Sequence, residues 1–147
     1  MNSMHWLGFG FGLGLMPAPG TCGSLLGLLP ALFFHDASWV SIGSLLAGII
    51  VSWRACWFAY HMVGGFDHKA IVIDEILGMW IALYFVPVSI FNYIIVFGLF
   101  RFFDIVKPVP VSWFESPSLG YHGVMLDDCV AGLLANLTWH VLYYLMV

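Results

Sequence analysis

The chain has 147 residues, of which 62% are hydrophobic and only 8% are Asp, Glu, Lys or Arg, and its net charge is −4. Soluble domains carry roughly 25% charged residues, so this composition excludes a soluble globular domain, and its high hydrophobicity excludes a disordered chain. The negative charge also argues against nucleic-acid binding. We therefore predict one integral-membrane domain over residues 1–147, all-α, a small polytopic bundle of about four to five hydrophobic helices.

The first segment is rich in glycine and lacks the basic start of a signal peptide. Its Gly20–Ser24 portion precedes an apolar stretch, where free N–H groups and two hydroxyls suit a bound phosphate. Close helix packing and a flexible loop are the alternatives. The following Ser24–Phe34 stretch contains Pro30 and is too short to cross a bilayer, which predicts a half-helix or re-entrant segment.

Longer apolar elements follow, separated by short polar links. A spanning helix needs roughly 20 mostly apolar residues. The predicted elements are Trp39–Tyr60, Ile73–Val86, Ser89–Phe103 and Cys129–Val147. The first is long enough if Arg54 reaches a headgroup or joins a site, and the last is long enough if its helix begins at about Asp127. The middle two are each a little short.

The links between these elements differ in charge. Those at 61–72 and 104–127 are long and charged, whereas those at 35–38 and 86–89 are short and nearly uncharged. An antiparallel bundle with these links has nearly all of its charge at one end. Because Lys69 and Lys107 lie there, the positive-inside rule predicts that this end is cytoplasmic.

Five carboxylates lie near the ends of the predicted helices: Asp74, Glu75, Asp104, Asp127 and Asp128. Each adjacent pair alone is explained by the helix dipole. However, Gly78 and Gly132 lie one turn after a carboxylate, so another backbone can approach just beneath it. Five carboxylates at one membrane face repel one another unless a cation neutralises them, and oxygen ligands suit Mg²⁺, Mn²⁺ or Ca²⁺.

Two basic residues accompany these carboxylates. Arg101 and Asp104 are three positions apart and can pair on one helix face, and Pro108 ends the helix at Lys107. A simple interfacial ion pair is the alternative. Carboxylate-bound metal with nearby cations indicates phosphoryl chemistry. Neither a Cys-x5-Arg loop nor a GxSxG elbow is present, which leaves metal-activated water, the favoured choice, or an Asp nucleophile.

Four blocks of the sequence, in order, resemble those of the bacterial phosphatidylglycerophosphatase A family: GFGFGLGLMPAPGTCGSL, DHKAIVIDEILGMW, FRFFDIVKPVPVSWFE and GVMLDDCVAG. The resemblance implies an Mg²⁺-dependent phosphatase of the bacterial inner membrane. It also implies conversion of phosphatidylglycerophosphate to phosphatidylglycerol by an all-α protein, with the active site expected on the cytoplasmic face.

The family's acidic signature falls on the five carboxylates, with Arg101 and Lys107 between them, and Asp67 and Thr21 also match its blocks. The predicted metal ligands are Asp74, Glu75, Asp104, Asp127 and Asp128. The predicted catalytic residues are Glu75, Asp127, Arg101 and Lys107. The predicted phosphate-binding residues are Gly20, Thr21, Gly23, Ser24, Asp67, Arg101 and Lys107. A small membrane transporter or channel with an interfacial ion site is the alternative function, but it predicts carboxylates in mid-span and a repeated architecture.

Overall fold

A computed structural model describes residues 3–33, 38–65 and 68–146, with the side chains of residues 3–5 left out. These parts of the chain are helical and contain no strand, which confirms the all-α prediction. The α-helices are α1 (Ser3–Gly8), α2 (Pro19–Leu26), α3 (Leu28–Phe33), α4 (Trp39–Met62), α5 (Ile73–Ala82), α6 (Ile90–Val106) and α7 (Tyr121–Met146). Short 3-10 turns cover Gly10–Leu15, Val111–Phe114 and Pro117–Leu119.

Helices α4 and α7 are long and apolar enough to cross a membrane. They have 24 and 26 residues, which at 1.5 Å per residue makes them about 36 and 39 Å long. Only 22% of each apolar stretch is buried inside the protein, whereas the core helix of a soluble protein is mostly buried. Such exposed apolar surface is stable only in an apolar solvent, so the chain is a membrane protein.

Helix α5 lies at the centre of the molecule and is far shorter. It packs against α2, α3, α4, α6 and α7, and Leu77, Met79 and Ala82 are completely buried. It ends at Ala82 rather than at the predicted Val86, because the chain turns over residues 83–85 ahead of Pro87. With 10 residues, α5 is about 15 Å long and reaches only half-way through a bilayer.

Two glycines allow a very close crossing of α5 and α7. A Cβ atom added to Gly78 of α5 would lie 2.7 Å from the carbonyl oxygen of Asp128, and one added to Gly132 of α7 would overlap the Gly78 carbonyl. The two backbones are therefore in direct contact, as the glycines one turn after each acidic pair predicted. This contact brings the first turn of α5 beside the second and third turns of α7.

Two further predicted boundaries need correction. Helix α7 begins at Tyr121, six residues before Asp127, so the second acidic pair lies inside the helix and not at its start. Gly120, with φ of +53°, ends the preceding turn and lets the helix start there. Helix α2 begins at Pro19, a residue suited to the first helical position, so the Gly20–Ser24 segment is helical and not a loop.

The remaining predicted elements agree better with the structure. A turn at Gly27 divides the predicted Ser24–Phe34 segment between α2 and α3, and neither helix is long enough to span. Helix α6 runs from Ile90, after Ser89 at its N-cap, and ends at Lys107, as Pro108 predicted. Early glycines serve packing, since Gly8 lies against Ala55 and Ala59 of α4.

Candidate active site

Charged side chains from separate segments of the chain line one open cleft of about 540 Å³. The cleft lies where the first turns of α2 and α5 meet the end of α6 and the first half of α7. Its polar lining residues are Thr21, His68, Lys69, Asp74, Glu75, Arg101, Asp104, Lys107, Asp127 and Asp128. The predicted Asp67 lies outside the described residues. We call this site the acidic cleft.

Three carboxylates in the acidic cleft are close enough to share one cation. Asp74, Glu75 and Asp128 each offer an oxygen atom, and these atoms lie within 4.8 Å of one another. Asp74 and Asp128 are only 6% and 4% exposed. Carboxylate groups that are this close together and this little exposed to water repel one another strongly unless a positive charge or protons neutralise them.

One atom of this three-carboxylate cluster tests whether a metal fits. Glu75 Oε2 is buried and accepts no hydrogen bond from any residue that the structure describes. A buried charged oxygen without a partner is costly, and coordination to a cation would satisfy it. All the donors are carboxylate oxygens, the ligand type that hard divalent cations take. The cluster therefore fits a metal ion.

The other two predicted ligands hold cations of the protein instead. Asp104 forms an ion pair with Arg101, three residues earlier on α6. Asp127 Oδ2 accepts a hydrogen bond from Lys107 Nζ at 2.7 Å. Both carboxylates line the acidic cleft, but they lie outside the three-carboxylate cluster, so a metal role for them stays a prediction.

Arg101 is held from two sides. Besides its pair with Asp104, its Nη1 donates to Ser24 Oγ at 3.3 Å, and that hydroxyl donates to the carbonyl of Gly20 at 2.8 Å. Ser24 is fully buried and does not line the cleft. Ser24 therefore contacts Arg101 and not the open cleft, and its predicted direct contact with phosphate stays a prediction.

The start of α2 comes within van der Waals distance of this charged centre because Gly20 has no side chain. A Cβ atom there would lie 2.7 Å from Glu75 Oε1 and 3.2 Å from Arg101 Nη1. Gly20 and Thr21 line the cleft, and the N–H groups in the first turn of a helix lack intrahelical acceptors. Gly23 faces away, toward Val72. Of the predicted phosphate-binding residues on α2, Gly20 and Thr21 therefore line the cleft while Gly23 and Ser24 do not, and phosphate binding by any of them stays a prediction.

Lys107 joins the acidic cleft to a loop residue that the sequence patterns did not single out. Its Nζ also lies 3.3 Å from Glu115 Oε1. Burial by itself lowers the pKa of Lys107, but its hydrogen bonds and charge interactions with Asp127 and Glu115 outweigh this effect and raise the pKa. Lys107 is therefore cationic at neutral pH. The short turn between Pro108 and Pro110 was the only signal that could have placed Glu115 beside it.

Comparison with known proteins gives the family. The sequence matches the family model described as Phosphatidylglycerophosphatase A over residues 6–143. The phosphatidylglycerophosphatase A of Haemophilus influenzae is 34% identical over 151 aligned residues, covering 100% of this chain and 93% of that protein. The enzyme of the same name from Escherichia coli is 37% identical over 138 residues, covering 91% of this chain and 80% of that protein.

A third relative carries a different name. A Bacteroides thetaiotaomicron protein, provisionally named a phosphatidylinositol-3-phosphatase, is 41% identical over 147 aligned residues, covering 86% of this chain and 85% of that protein. No solved structure gives a significant match. Since the family model and two relatives of that name cover nearly all of the sequence, the chain belongs to the phosphatidylglycerophosphatase A family.

Proposed function

We propose that the protein removes the terminal phosphate of phosphatidylglycerophosphate and releases phosphatidylglycerol and inorganic phosphate. One observation carries the proposal: a chain with 12 charged residues directs eight of them, from three separate segments, into the acidic cleft. The names of the H. influenzae and E. coli relatives supply the substrate. A structural subunit or an ion path through mid-span would have no need for this cluster at helix ends.

We further propose that Mg²⁺ is the cofactor and that Asp74, Glu75 and Asp128 would hold it, with Asp104 and Asp127 as additional predicted ligands. The support is the all-oxygen donor set and the unpartnered Glu75 Oε2. Bound Mg²⁺ supplies positive charge for the phosphoryl oxygens and acidifies a coordinated water.

The residues of the chain then have separate tasks. Arg101 and the N–H groups of Gly20 and Thr21 bind the non-bridging phosphate oxygens, because donors of this kind stabilise charge that develops there. Lys107 keeps Asp127 oriented and adds positive charge at the cleft. A carboxylate of the cleft, Glu75 or Asp127, takes the proton of the attacking water.

Phosphate release from detergent-solubilised phosphatidylglycerophosphate, with and without EDTA, tests this proposal. We expect release that EDTA abolishes and Mg²⁺ restores. The name of the B. thetaiotaomicron relative makes phosphatidylinositol 3-phosphate the second substrate to assay, and phosphatidate is the third. Faster hydrolysis of the inositide than of phosphatidylglycerophosphate would reverse the substrate assignment, and release from none of the three would contradict a phosphatase.

We propose that the protein lies in the bacterial inner membrane with the acidic cleft on the cytoplasmic side. The cleft is at the end of the bundle that carries Lys69 and Lys107, which the positive-inside rule assigns to the cytoplasm. Cysteines introduced at Ser112 and Ser89, in a variant without native cysteines, test this orientation. An impermeant thiol reagent added to intact spheroplasts should label position 89 and leave position 112 unlabelled, and the reverse pattern would contradict the proposal.

A further inference from the structure

One cationic residue of the acidic cleft has no task in the proposed function. The lysine and arginine residues that line the cleft are Lys69, Arg101 and Lys107. Arg101 and Lys107 are ion-paired with Asp104 and Asp127, whereas Lys69 is exposed and forms no ion pair with any residue that the structure describes. Its ammonium group can therefore meet an anion that enters the cleft without first breaking an internal ion pair.

The backbone that carries Lys69 is fixed by hydrogen bonds. The N–H of Ala70 donates to His68 Nδ1 at 3.1 Å, and the N–H of Val72 donates to the carbonyl of Gly8 in α1 at 3.1 Å. Ala70 and Val72 are both buried. A loop that is held in this way places the lysine at the rim of the cleft before a ligand binds, which lowers the entropic cost of binding.

An apolar cavity of about 320 Å³ lies against the same loop. Its lining includes Leu15, Met62 and Ala70, and all of its lining residues that the structure describes are hydrophobic or glycine except His68. Leu15 and Met62 are more than half exposed, so this apolar surface continues outward. His68 lines the acidic cleft as well. Lys69, which lies between His68 and Ala70 in the chain, is therefore at the boundary between a charged cleft and an apolar surface.

The acidic cleft has room for more than one phosphate group. Its volume of about 540 Å³ equals that of roughly 18 water molecules at about 30 Å³ each, which is far more than one phosphate group occupies. A phosphate bound between the three-carboxylate cluster and Arg101 therefore leaves space in the cleft for the neighbouring part of its headgroup.

A lipid whose headgroup ends in a phosphomonoester carries its parts in a fixed order. The monoester is outermost, a phosphodiester joins the headgroup to diacylglycerol, and the acyl chains follow. The protein presents matching surfaces in the same order, namely the three-carboxylate cluster, Lys69 and the apolar cavity. With the monoester at the cluster, the diester is the group that passes Lys69, and an ammonium group donates a charge-assisted hydrogen bond to a phosphate oxygen.

We propose that Lys69 determines substrate specificity by binding this phosphodiester, with the acyl chains on the apolar side of the loop. The inference rests on the proposed function, since it assumes that the scissile phosphate lies at the three-carboxylate cluster. Phosphatidylglycerophosphate and phosphatidylinositol 3-phosphate both carry the diester, whereas phosphatidate has the scissile phosphate alone. Lys69 therefore selects lipids with two phosphates, whichever of these two headgroups the protein hydrolyses.

Calorimetric titration of the purified full chain with two water-soluble phosphonates, in detergent and Mg²⁺, tests the role of Lys69. One probe is glycerophosphoglycerol with a terminal phosphonate, and the other is the phosphonate analogue of glycerol 3-phosphate, which lacks the diester. In both, a methylene group replaces the scissile ester oxygen, so neither is hydrolysed. We expect the diester probe to bind about three- to tenfold more tightly, the effect of one hydrogen bond between charged groups at an exposed site.

Substitutions then assign the preference to one side chain. Lys69→Gln should remove most of it and change the affinity for the smaller probe by less than about twofold, and Lys69→Arg should keep it. Arg54→Gln is the matched control, because it removes the same charge from an exposed position on α4 that lies over the Phe58 ring and lines neither the cleft nor the apolar cavity.

Equal binding of the two probes to the wild-type protein would overturn the proposal, and so would a preference that survives Lys69→Gln. An equal loss of affinity for both probes in Lys69→Gln, or an equal loss of preference in Arg54→Gln, would show a general charge effect and would also contradict it. The two proposals fail separately. A protein that shows the preference but hydrolyses none of the three lipids would contradict the proposed function and leave the role of Lys69 standing.

Discussion

The two halves of α7 have opposite surroundings. In the first half, Tyr121–Gly132, the carboxylate residues Asp127 and Asp128 are buried, and Asp128 is only 4% exposed. In the second half, Leu133–Met146, most of the large apolar side chains face outward, as Leu145 does at 75% exposure, while Ala135 and Trp139 pack inward. A soluble helix has the reverse arrangement. One continuous helix therefore contributes buried carboxylates to the acidic cleft in its first half and an apolar outer surface in its second half.

The difference shows where specificity resides in this protein. In the first half, backbone contacts restrict which side chains fit, as at Gly132, where the backbone of α5 leaves no room for a Cβ atom. The second half is constrained by the solvent that it faces, which accepts any apolar side chain. Substitutions should therefore have large effects in the first half and small ones on the outward face of the second half.

The largest expected effect is on catalysis, from Asp128→Asn. Removing one carboxylate from the three-carboxylate cluster should lower the rate of phosphate release by at least about 10²-fold, because the charge that holds a cation there is lost. The variant should be as stable as the wild type or more so when EDTA is present, since a buried charge has been removed. Enzyme assays and thermal melts in detergent measure both. Full Mg²⁺-dependent activity in this variant would refute the metal site.

The next effect is on the helix crossing. Gly132→Ala should lower the free energy of unfolding by about 1–3 kcal/mol, because the new methyl group meets the backbone of α5, which cannot move aside. Activity should fall with it as the acidic pairs separate. Gly98→Ala on α6 is the control: a Cβ atom there meets nothing within 4 Å, and we expect a gain of about 0.5–1 kcal/mol. Similar melting temperatures for the two variants would contradict the tight crossing.

A smaller effect is expected where α7 supports the far end of α5. Asn136 Nδ2 donates to the carbonyls of Ala82 and Tyr84 at 2.9 and 2.6 Å. Asn136→Leu removes both donors and should destabilise the protein by about 1–3 kcal/mol. The substrate KM should stay unchanged well below the melting temperature, because the acidic cleft lies at the other end of α5. A changed KM with unchanged stability would show that the two ends are coupled.

The smallest effect is expected on the lipid-facing surface. Leu137 is 61% exposed, so Leu137→Ala should change the free energy of unfolding by less than about 0.5 kcal/mol in detergent. Thermal melting with a range of detergents checks this expectation. A loss above about 2 kcal/mol would show that this face packs against another protein chain and not against lipid.

Sequence reasoning identified the acidic cleft well because its signals are local and uncommon in an apolar chain. Acidic pairs followed one turn later by Gly78 and Gly132 predicted a close approach of another backbone beneath each pair. The structure shows that these two glycines approach each other, and that Asp74 and Asp128 lie close together. The positions of Arg101 and Lys107 at the end of α6 also followed from spacing and from Pro108.

What the sequence did not reveal depends on turns and on tertiary contacts. The sequence predicts a start of α7 near Asp127, six residues too late, because a carboxylate pair is common in the first turn of a helix. The turn at Gly120 has no equally strong sequence signal for a helix start. The contact of Ser24 with Arg101 joins residues 77 positions apart, and no local pattern encodes it. Glu115 was overlooked for the same reason, since only the folded loop brings it to Lys107.

The contact between Gly78 and Gly132 has a consequence for how this protein can vary. The contact of these two backbones sets how closely the helical turns that carry Asp74 and Asp128 approach each other. The spacing of the three-carboxylate cluster is therefore independent of which apolar residues cover the rest of α5 and α7. We therefore expect that substitutions among the outward-facing apolar residues of α5 and α7, including ones that change the length of the apolar surface, leave the distance between these two carboxylates unchanged.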